Sequence, residues 1–411
     1  MTNAAALLPL TSDQRRHFSW LDAPHLKSVV AALEAADPGG ARFVGGCVRD
    51  SLMGIAPKDF DMATRLPPDA AMTALKTAGL GVAPTGIDHG TVTAISDHQG
   101  VEVTTLRADV STDGRRATVA YTRDWATDAG RRDFTINAIY LTPGGELYDP
   151  VGGVADSRAR AVRFIGEPQA RIREDYLRIL RFFRFSARFC TTFDDAGLAA
   201  CATLRSGLKN LSAERIGAEM SGVLSLPRAG MALSAMSETK ILKEIWPAPP
   251  DLDAADRMKA ADPHASAPLM LAALYGEAGA GLGAALRLSN AEKAIRTRAL
   301  TAVAQIDASL SEQQMRALIY QQGKDGFADA LLLAASHGVV SPADYHRMRA
   351  YADGYTPPPL AISGKDIVAA GIVPGPRVSK LLKAIEALWI EEDFPEPARQ
   401  KEILAAALAK S

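Results

Sequence analysis

The stretch Phe43–Thr64, FVGGCVRDSLMGIAPKDFDMAT, constrains this chain more than any other. An apolar run, Ala41 to Val44, leads into Gly45 and Gly46, and Val48, Arg49 and Asp50 follow as the opening of a helix. Strand, glycine turn and helix start together present backbone N–H groups to an anion, which is a way to hold a phosphate. Farther on, Asp59-Phe60-Asp61 is expected as extended chain, where alternate side chains share a side, so the two carboxylates converge while Phe60 faces the core. Two hard oxygen ligands beside a phosphate cradle suit Mg²⁺. Each half has an ordinary reading as well: a lone Asp-x-Asp is most often a pair of solvated turn residues, and a lone Gly-Gly is most often a turn. The weight lies in the combination.

A chain of 411 residues is too long for one ordinary core, and two to four domains are expected. A leading helix is predicted over residues 12–36, with Thr11 or Ser12 as its N-cap. From Arg42 to about Pro150 the pattern is mixed. Strands are predicted at Thr91 to Ile95, Val101 to Leu106 and Ile136 to Leu141, where β-branched residues gather, and a helix at Pro68 to Ala78. Beyond Pro150, Gly152 and Gly153 strand signals nearly vanish, and Ala- and Leu-rich helical segments follow, broken by Pro247 to Pro250 and by Gly354 to Pro359. The fold class is therefore α+β: a small head with a mixed sheet, followed by an elongated helical body.

Composition narrows the class of protein without choosing a function. Apolar residues make up 47% and charged residues 23% of the chain, with no low-complexity bias, as in soluble globular proteins. The net charge of −1 leaves nucleic-acid binding to a local basic face. Cys47, Cys190 and Cys201 lack metal-site spacing and suit a reducing compartment. No apolar run approaches the roughly 18 to 20 residues that span a bilayer, and the N-terminus lacks a basic stretch before its apolar one, so a cytoplasmic protein without membrane contact is expected.

Two further segments carry charge in a pattern. Glu102, in Val101-Glu102-Val103-Thr104-Thr105-Leu106-Arg107, is a candidate third carboxylate because it lies on a predicted neighbouring strand; a Glu on the wet face of an edge strand is the alternative. In Glu174 to Phe189, helical spacing gathers Arg178, Arg181, Arg184 and Arg188 on one side and Ile179, Phe182 and Phe183 elsewhere. A solvated Arg stripe is the ordinary explanation of such a helix.

The order GG-x-x-R-D followed by D-F-D-M-A-T resembles the signature of nucleotidyltransferases with a polymerase-beta-type palm, specifically the class II tRNA CCA-adding and bacterial poly(A) polymerase family. Arg131 to Ala138, RRDFTINA, resembles that family's R-R-D-F-T-I-N-A, and Val101 to Arg107 its E-V-T-T-x-R run. The E-D-x-x-R opening at Glu174 resembles the motif that selects the nucleotide without a nucleic-acid template. The resemblance covers residues 40–225 strongly and the tail loosely. It implies a metal pair at Asp59 and Asp61 with Glu102 as third catalytic carboxylate. It implies nucleotide binding at Gly46 and Arg49, the incoming phosphate and ribose held by Arg132 and Asp133, base selection by Asp175 and Arg178, and Arg181 and Arg184 farther along the same groove. Glu214 to Glu219 resembles the family's E-R-I-x-x-E helix and is expected to brace the Arg helix. Asp113-Gly114-Arg115-Arg116 resembles the flexible loop that full CCA enzymes carry.

The base-selecting logic is chemical. Cytosine and adenine each present an amino donor beside a ring-nitrogen acceptor, which a carboxylate and a guanidinium match; uracil and guanine reverse both contacts. With Asp175 and Arg178 three apart on a predicted helix, the two side chains would lie next to each other. The implied activity is addition of C, C and A to the tRNA 3′ end from CTP and ATP, with Mg²⁺ as cofactor and no obligate protein partner. The implied layout is a head at residues 1–150, a neck at 151–225, a body at 226–353 and a tRNA-binding tail at 354–411. Alternatives are a poly(A) polymerase, a partial CC- or A-adding enzyme, and a non-catalytic RNA-binding relative. None of the seven histidines is followed by Asp, so an HD phosphohydrolase signature is missing from this sequence.

Overall fold

A computed structural model describes residues 6–112 and 117–409, so the Asp113–Arg116 loop lies outside the described residues. The chain divides into two compact units, one of residues 1–223 with 234–247, the other of residues 224–233 with 248–411. Among the described residues, no helix is long and apolar enough to cross a membrane.

The first unit is built on a mixed sheet of β1 (Leu8–Pro9), β2 (Ala41–Val44), β3 (Asp61–Thr64), β4 (Gly81–Gly86), β5 (Thr91–Ser96), β6 (Gln99–Thr105), β9 (Tyr140–Leu141) and β10 (Glu146–Tyr148), in the order β1-β10-β9-β2-β3-β6-β5-β4. Between them in sequence, β7 (Arg107–Thr112) and β8 (Ala117–Tyr121) form a separate antiparallel hairpin. β3 and β6 run parallel; the other neighbouring pairs of the large sheet are antiparallel. Strand alternation sorts the faces. Phe43, Met62, Val92 and Val103 enter one core with the helices Pro24–Ala36 and Pro68–Thr77, whereas Val44 and Ala63 enter another with Leu106, Trp125 and Tyr140.

The predicted strands at Thr91 and Val101 and the helix at Pro68 are present. Two expectations change. The leading helix is interrupted: a short turn from Ser12, capped by Thr11 and Gln14, passes through a 3₁₀ segment Arg16–Asp22, and a new helix starts at Pro24. Proline lacks the N–H of a continuing helix and fits the first turn of a new one. The predicted strand Ile136 to Leu141 shortens to Tyr140–Leu141, because Thr135–Asn137 closes into a 3₁₀ turn whose polar side chains are claimed from outside: Thr135 donates to Asp156, and Asn137 bonds Arg49 and Asp133.

After β10 the unit is helical. Pro168–Glu174 and Leu177–Phe189 follow one another, and the second buries Ile179, Phe182, Phe183 and Phe189. The second unit is all-helical among its described residues. Leu252–Ala261, Ala267–Tyr275, Asn290–Ala302 and Glu312–Ser336 pack together, and Gly323, at φ +75°, breaks the helical path of the last. A cluster of Ile362, Ile367, Leu381, Ile385, Trp389 and Ile403 forms the core of its C-terminal part.

One close approach ties the fold to the site. Asp149 accepts from the N–H groups of Gly153 and Val154, starting the helix Gly153–Ala159 directly against the Thr135–Asn137 turn. A β-carbon at Gly153 would collide with the Thr135 carbonyl oxygen and lie 2.8 Å from Ile139 Cγ1. Backbone cannot step aside as a side chain can, so Gly153→Ala is expected to cost about 2 to 3 kcal/mol. A fall of several degrees in the apparent melting temperature checks this; an unchanged midpoint contradicts it.

Candidate active site

The site begins with register. Across the parallel β3–β6 pair, Asp61 stands directly opposite Glu102. Alternation sends Met62 and Val103 into the core and leaves Asp61, Glu102 and Thr104 on the open side, where all three line a cavity of about 450 Å³. Burial, and then the neighbouring Glu102 carboxylate, push the Asp61 carboxyl up to about 6, with Arg132 pulling the other way and Asp59 adding to the rise. Asp59 does not share the strand with Asp61 as expected. It sits exposed in the bend before β3, outside the cavity lining: Phe60 packs inward against Trp20, 5.1 Å between ring centres, but the extended strand starts only at Asp61, so alternation does not carry back to Asp59. Among the described residues no three His, Cys, Asp or Glu side chains form a ready-made metal cage. Two carboxylates on one rung, one of them reluctant to ionise alone, nevertheless suit a hard divalent cation that completes its shell with water and phosphate oxygens.

The facing wall is cationic. Gly45 follows β2 at φ +73° and ψ −123°, a conformation open to glycine, and turns the chain into the helix Gly46–Leu52. From that helix Arg49, 5% exposed, donates to Asp50 and to Asn137 Oδ1 at 2.6 Å, and its guanidinium lies over the Phe185 and Phe189 rings. Arg131 and Arg132 are both held by Asp128, which is 1% exposed and also accepts from the Tyr140 hydroxyl at 2.7 Å and from the Arg107 N–H at 3.0 Å. Burial opposes ionisation of Asp128, yet these partners hold its carboxyl down at about 2. Asp133 accepts from the Phe134 N–H and Asn137 Nδ2 on one oxygen and from Arg181 Nε at 2.7 Å on the other, which keeps it below the usual carboxylate range despite its burial.

Asp175 and Arg178 line the same cavity, but not from one helix. The helix Pro168–Glu174 stops, Asp175 is extended at φ −154° and ψ 106°, and its carboxylate accepts from the Leu177 N–H that starts the next helix and from Arg215 at 2.7 Å. A carboxylate able to satisfy a helix-start N–H is more stable outside the helix than within it. Arg178 donates to the Arg171 and Arg131 carbonyls and to Glu174. Arg181 lines the cavity. Arg184 is not among the lining residues; its guanidinium is taken by Glu219 at 2.6 Å, as expected if the helix Ala213–Leu224 braces the Arg helix.

Asp50, Asp128 and Asn137 were not singled out from the sequence. Asp128 carried a signal, standing three and four residues before Arg131 and Arg132, the spacing of helical ion pairs. Asn137 and Asp50 have local partners too, Asp133 four residues before Asn137 and Arg49 beside Asp50, but the bonds Arg49–Asn137 and Arg188–Asp50, which give them their place in the site, join residues far apart in sequence.

The raised pKa has a consequence for stability. A carboxyl whose folded pKa lies above its unfolded value of 3.8 stabilises the fold below that value, and loses this contribution as pH rises through about 6. In metal-free buffer Asp61→Asn is therefore expected to be more stable than the parent at pH 8, by up to about 3 kcal/mol, with the gap closing by pH 4. A gap independent of pH contradicts the assignment.

Residues 41–163 match the family model for the poly A polymerase head domain, and residues 192–254 match the model described as a probable RNA and SrmB-binding site of polymerase A. The chain is 32% identical to a mitochondrial CCA tRNA nucleotidyltransferase 1 of Mus musculus, with 93% of this chain and 89% of the relative covered. It is 31% identical to a CCA-adding enzyme of Levilactobacillus brevis, covering 90% and 93%. Among solved structures, the Bacillus stearothermophilus CCA-adding enzyme in complex with CTP superposes with a TM-score of 0.74 at 27% identity, over 94% of this chain and 98% of the other. With both walls of the cavity carrying the residues named above and similarity running nearly end to end, this chain belongs to the tRNA CCA-adding nucleotidyltransferase family.

Proposed function

We propose that the cavity takes CTP or ATP and that the protein adds C, C and A to the 3′ end of tRNA with release of pyrophosphate. The observation that carries this reading is the opposition of the Asp61–Glu102 rung to the Arg49–Arg132 wall across one cavity. A nucleoside triphosphate with its metal has that polarity: cationic where it meets carboxylates, anionic where it meets arginines. Divalent ions are general in this family, and Mg²⁺ is the ion proposed here; held by Asp61 and Glu102, with the charge of Asp59 in the preceding bend close by, it would lower the charge on the transferring phosphoryl group and favour the 3′-oxygen as nucleophile.

The chain's own residues do the rest. Gly46 and Arg49 meet the triphosphate, Arg132 adds a second cation, and Asp133 meets the ribose. Arg178 spends three donors on carbonyls and Glu174, which leaves two of its five N–H groups for the ring-nitrogen acceptor of C or A. Asp175 keeps a second lone pair on each oxygen after serving Leu177 and Arg215, enough to accept from the exocyclic amine. Uracil and guanine would leave both groups facing their own kind, a mismatch of the sort that discriminates by ~10⁴. Arg184 supports the helix through Glu219. The proposed layout is a head at 1–150, a neck at 151–225, a body at 226–353 and a tail at 354–411 that grips the tRNA.

Sequencing the 3′ ends made on tRNA lacking CCA, with all four NTPs present, tests the reading. Two C and one A, then a stop, are expected, and Asp61→Ala should lower the rate at least ~10³-fold. Exchanging the side chains of Asp175 and Arg178 should loosen nucleotide choice. Long runs of A would make the protein a poly(A) polymerase, and unaltered preference after the exchange would contradict the base-selecting pair.

A further inference from the structure

The two residues assigned to the base are held unequally. Arg178 is fixed by the Arg171 and Arg131 carbonyls and by Glu174. Asp175 lies between two helices, and its carboxylate has only the Leu177 N–H and one bond from Arg215, whose side chain is 45% exposed. An ion pair so open to water holds a direction weakly. Asp175 therefore depends on its backbone for its aim, and the next residue sets that backbone.

Tyr176 starts the helix Leu177–Phe189 at φ −62° and ψ −17°, and its ring rests on Gly207, a buried glycine of the 3₁₀ segment Arg205–Asn210. A β-carbon at Gly207 would collide with Cδ1 and Cε1 of that ring and lie 2.5 Å from its Cγ. Space, and not a left-handed backbone, is what requires glycine here. The seat is itself anchored: on either side of Gly207, Arg205 and Lys209 reach Glu244 at 3.7 and 3.2 Å, and Leu208 is buried. Neither Tyr176 nor Gly207 lines the cavity, so their influence on a bound base passes through the turn that carries Asp175. Hydrogen bonds weaken steeply when bent. A carboxylate turned away from its direction still carries its charge, but no longer opposes the carbonyl of uracil or guanine squarely, and the wrong bases gain.

We propose that Tyr176 and Gly207 are positioning residues whose contact fixes the angle of the Asp175 carboxylate against Arg178, so that fidelity for C and A over U and G depends on a glycine outside the cavity. This rests on the reading of Asp175 and Arg178 as the base-selecting pair.

The test measures single additions of CTP and UTP to tRNA lacking CCA, and of ATP and GTP to tRNA ending in CC. Each preparation serves as its own reference, so loss of folded protein cancels in the ratios. Gly207→Ala is expected to lower C over U and A over G about tenfold each, the scale of one aimed hydrogen bond; a merely structural role would slow right and wrong bases alike. Tyr176→Phe keeps the ring and should keep the parent's ratios, whereas Tyr176→Ala should lose them. With the ring gone an added methyl meets nothing, so Gly207→Ala combined with Tyr176→Ala should be no less faithful than Tyr176→Ala alone. Parent ratios kept in Gly207→Ala or in Tyr176→Ala, ratios lost in Tyr176→Phe, or losses that multiply in the double variant overturn the proposal. A parent that adds U as readily as C overturns the base-selecting reading instead.

Discussion

Two carboxylates on one rung of a parallel strand pair are an unfavourable arrangement that the rest of the head is built to hold. Asp61 faces Glu102 because β3 and β6 are in register, and strand alternation buries Met62 and Val103 behind them. A one-residue slip would turn the carboxylates into the core and its apolar residues out, so the packing that makes the sheet also enforces the repulsion. Burial and then repulsion raise the Asp61 carboxyl to about 6. A cation between the two carboxylates would relieve both effects.

The opposite wall solves the converse problem. Buried guanidinium groups need partners, and removing one partner from such a pair is strongly destabilising. Here the partners form a line of alternating charge joined through one amide: Arg188 to Asp50, Asp50 to Arg49, Arg49 to Asn137, Asn137 to Asp133, Asp133 to Arg181, Arg181 to Glu219 and Glu219 to Arg184. The line runs from the helix after the glycine turn, through the RRDFTINA turn, to the Arg helix and its brace. Each cationic group is thereby held in place by the fold itself, the preorganisation that electrostatic recognition of an anion relies on. The Arg helix is therefore more than a solvated stripe: its cations close circuits begun in the head.

Much of this was legible in the chain. The glycine turn, the inward Phe60, Glu102 on the neighbouring strand and the helical half after Pro150 follow from periodicity and local chemistry, and the structure has each of them. Local signals misled where distant polar groups decide the backbone. Ile136 to Leu141 has the composition of a strand, but Thr135 and Asn137 are claimed by residues 21 and 88 positions away, and the chain turns instead. Asp175 has helical neighbours on both sides, yet its carboxylate starts the next helix and leaves the first. Asn137 and Asp50 stayed unseen because their distant partners are brought in by folding: Arg49 reaches Asn137 across 88 positions and Arg188 reaches Asp50 across 138. Local pattern thus reveals elements and motifs, while the polar connections between them appear only in three dimensions.

The central claim is that the Asp61–Glu102 rung is an ion site completed by nucleotide phosphates. Titration of Mn²⁺, followed by the loss of its free-ion paramagnetic resonance signal, tests it most directly on the whole protein with and without CTP. The account predicts weak binding alone, marked tightening with CTP, and at least tenfold weaker binding in Glu102→Gln under both conditions. Equal Mn²⁺ affinity in the parent and Glu102→Gln would contradict it.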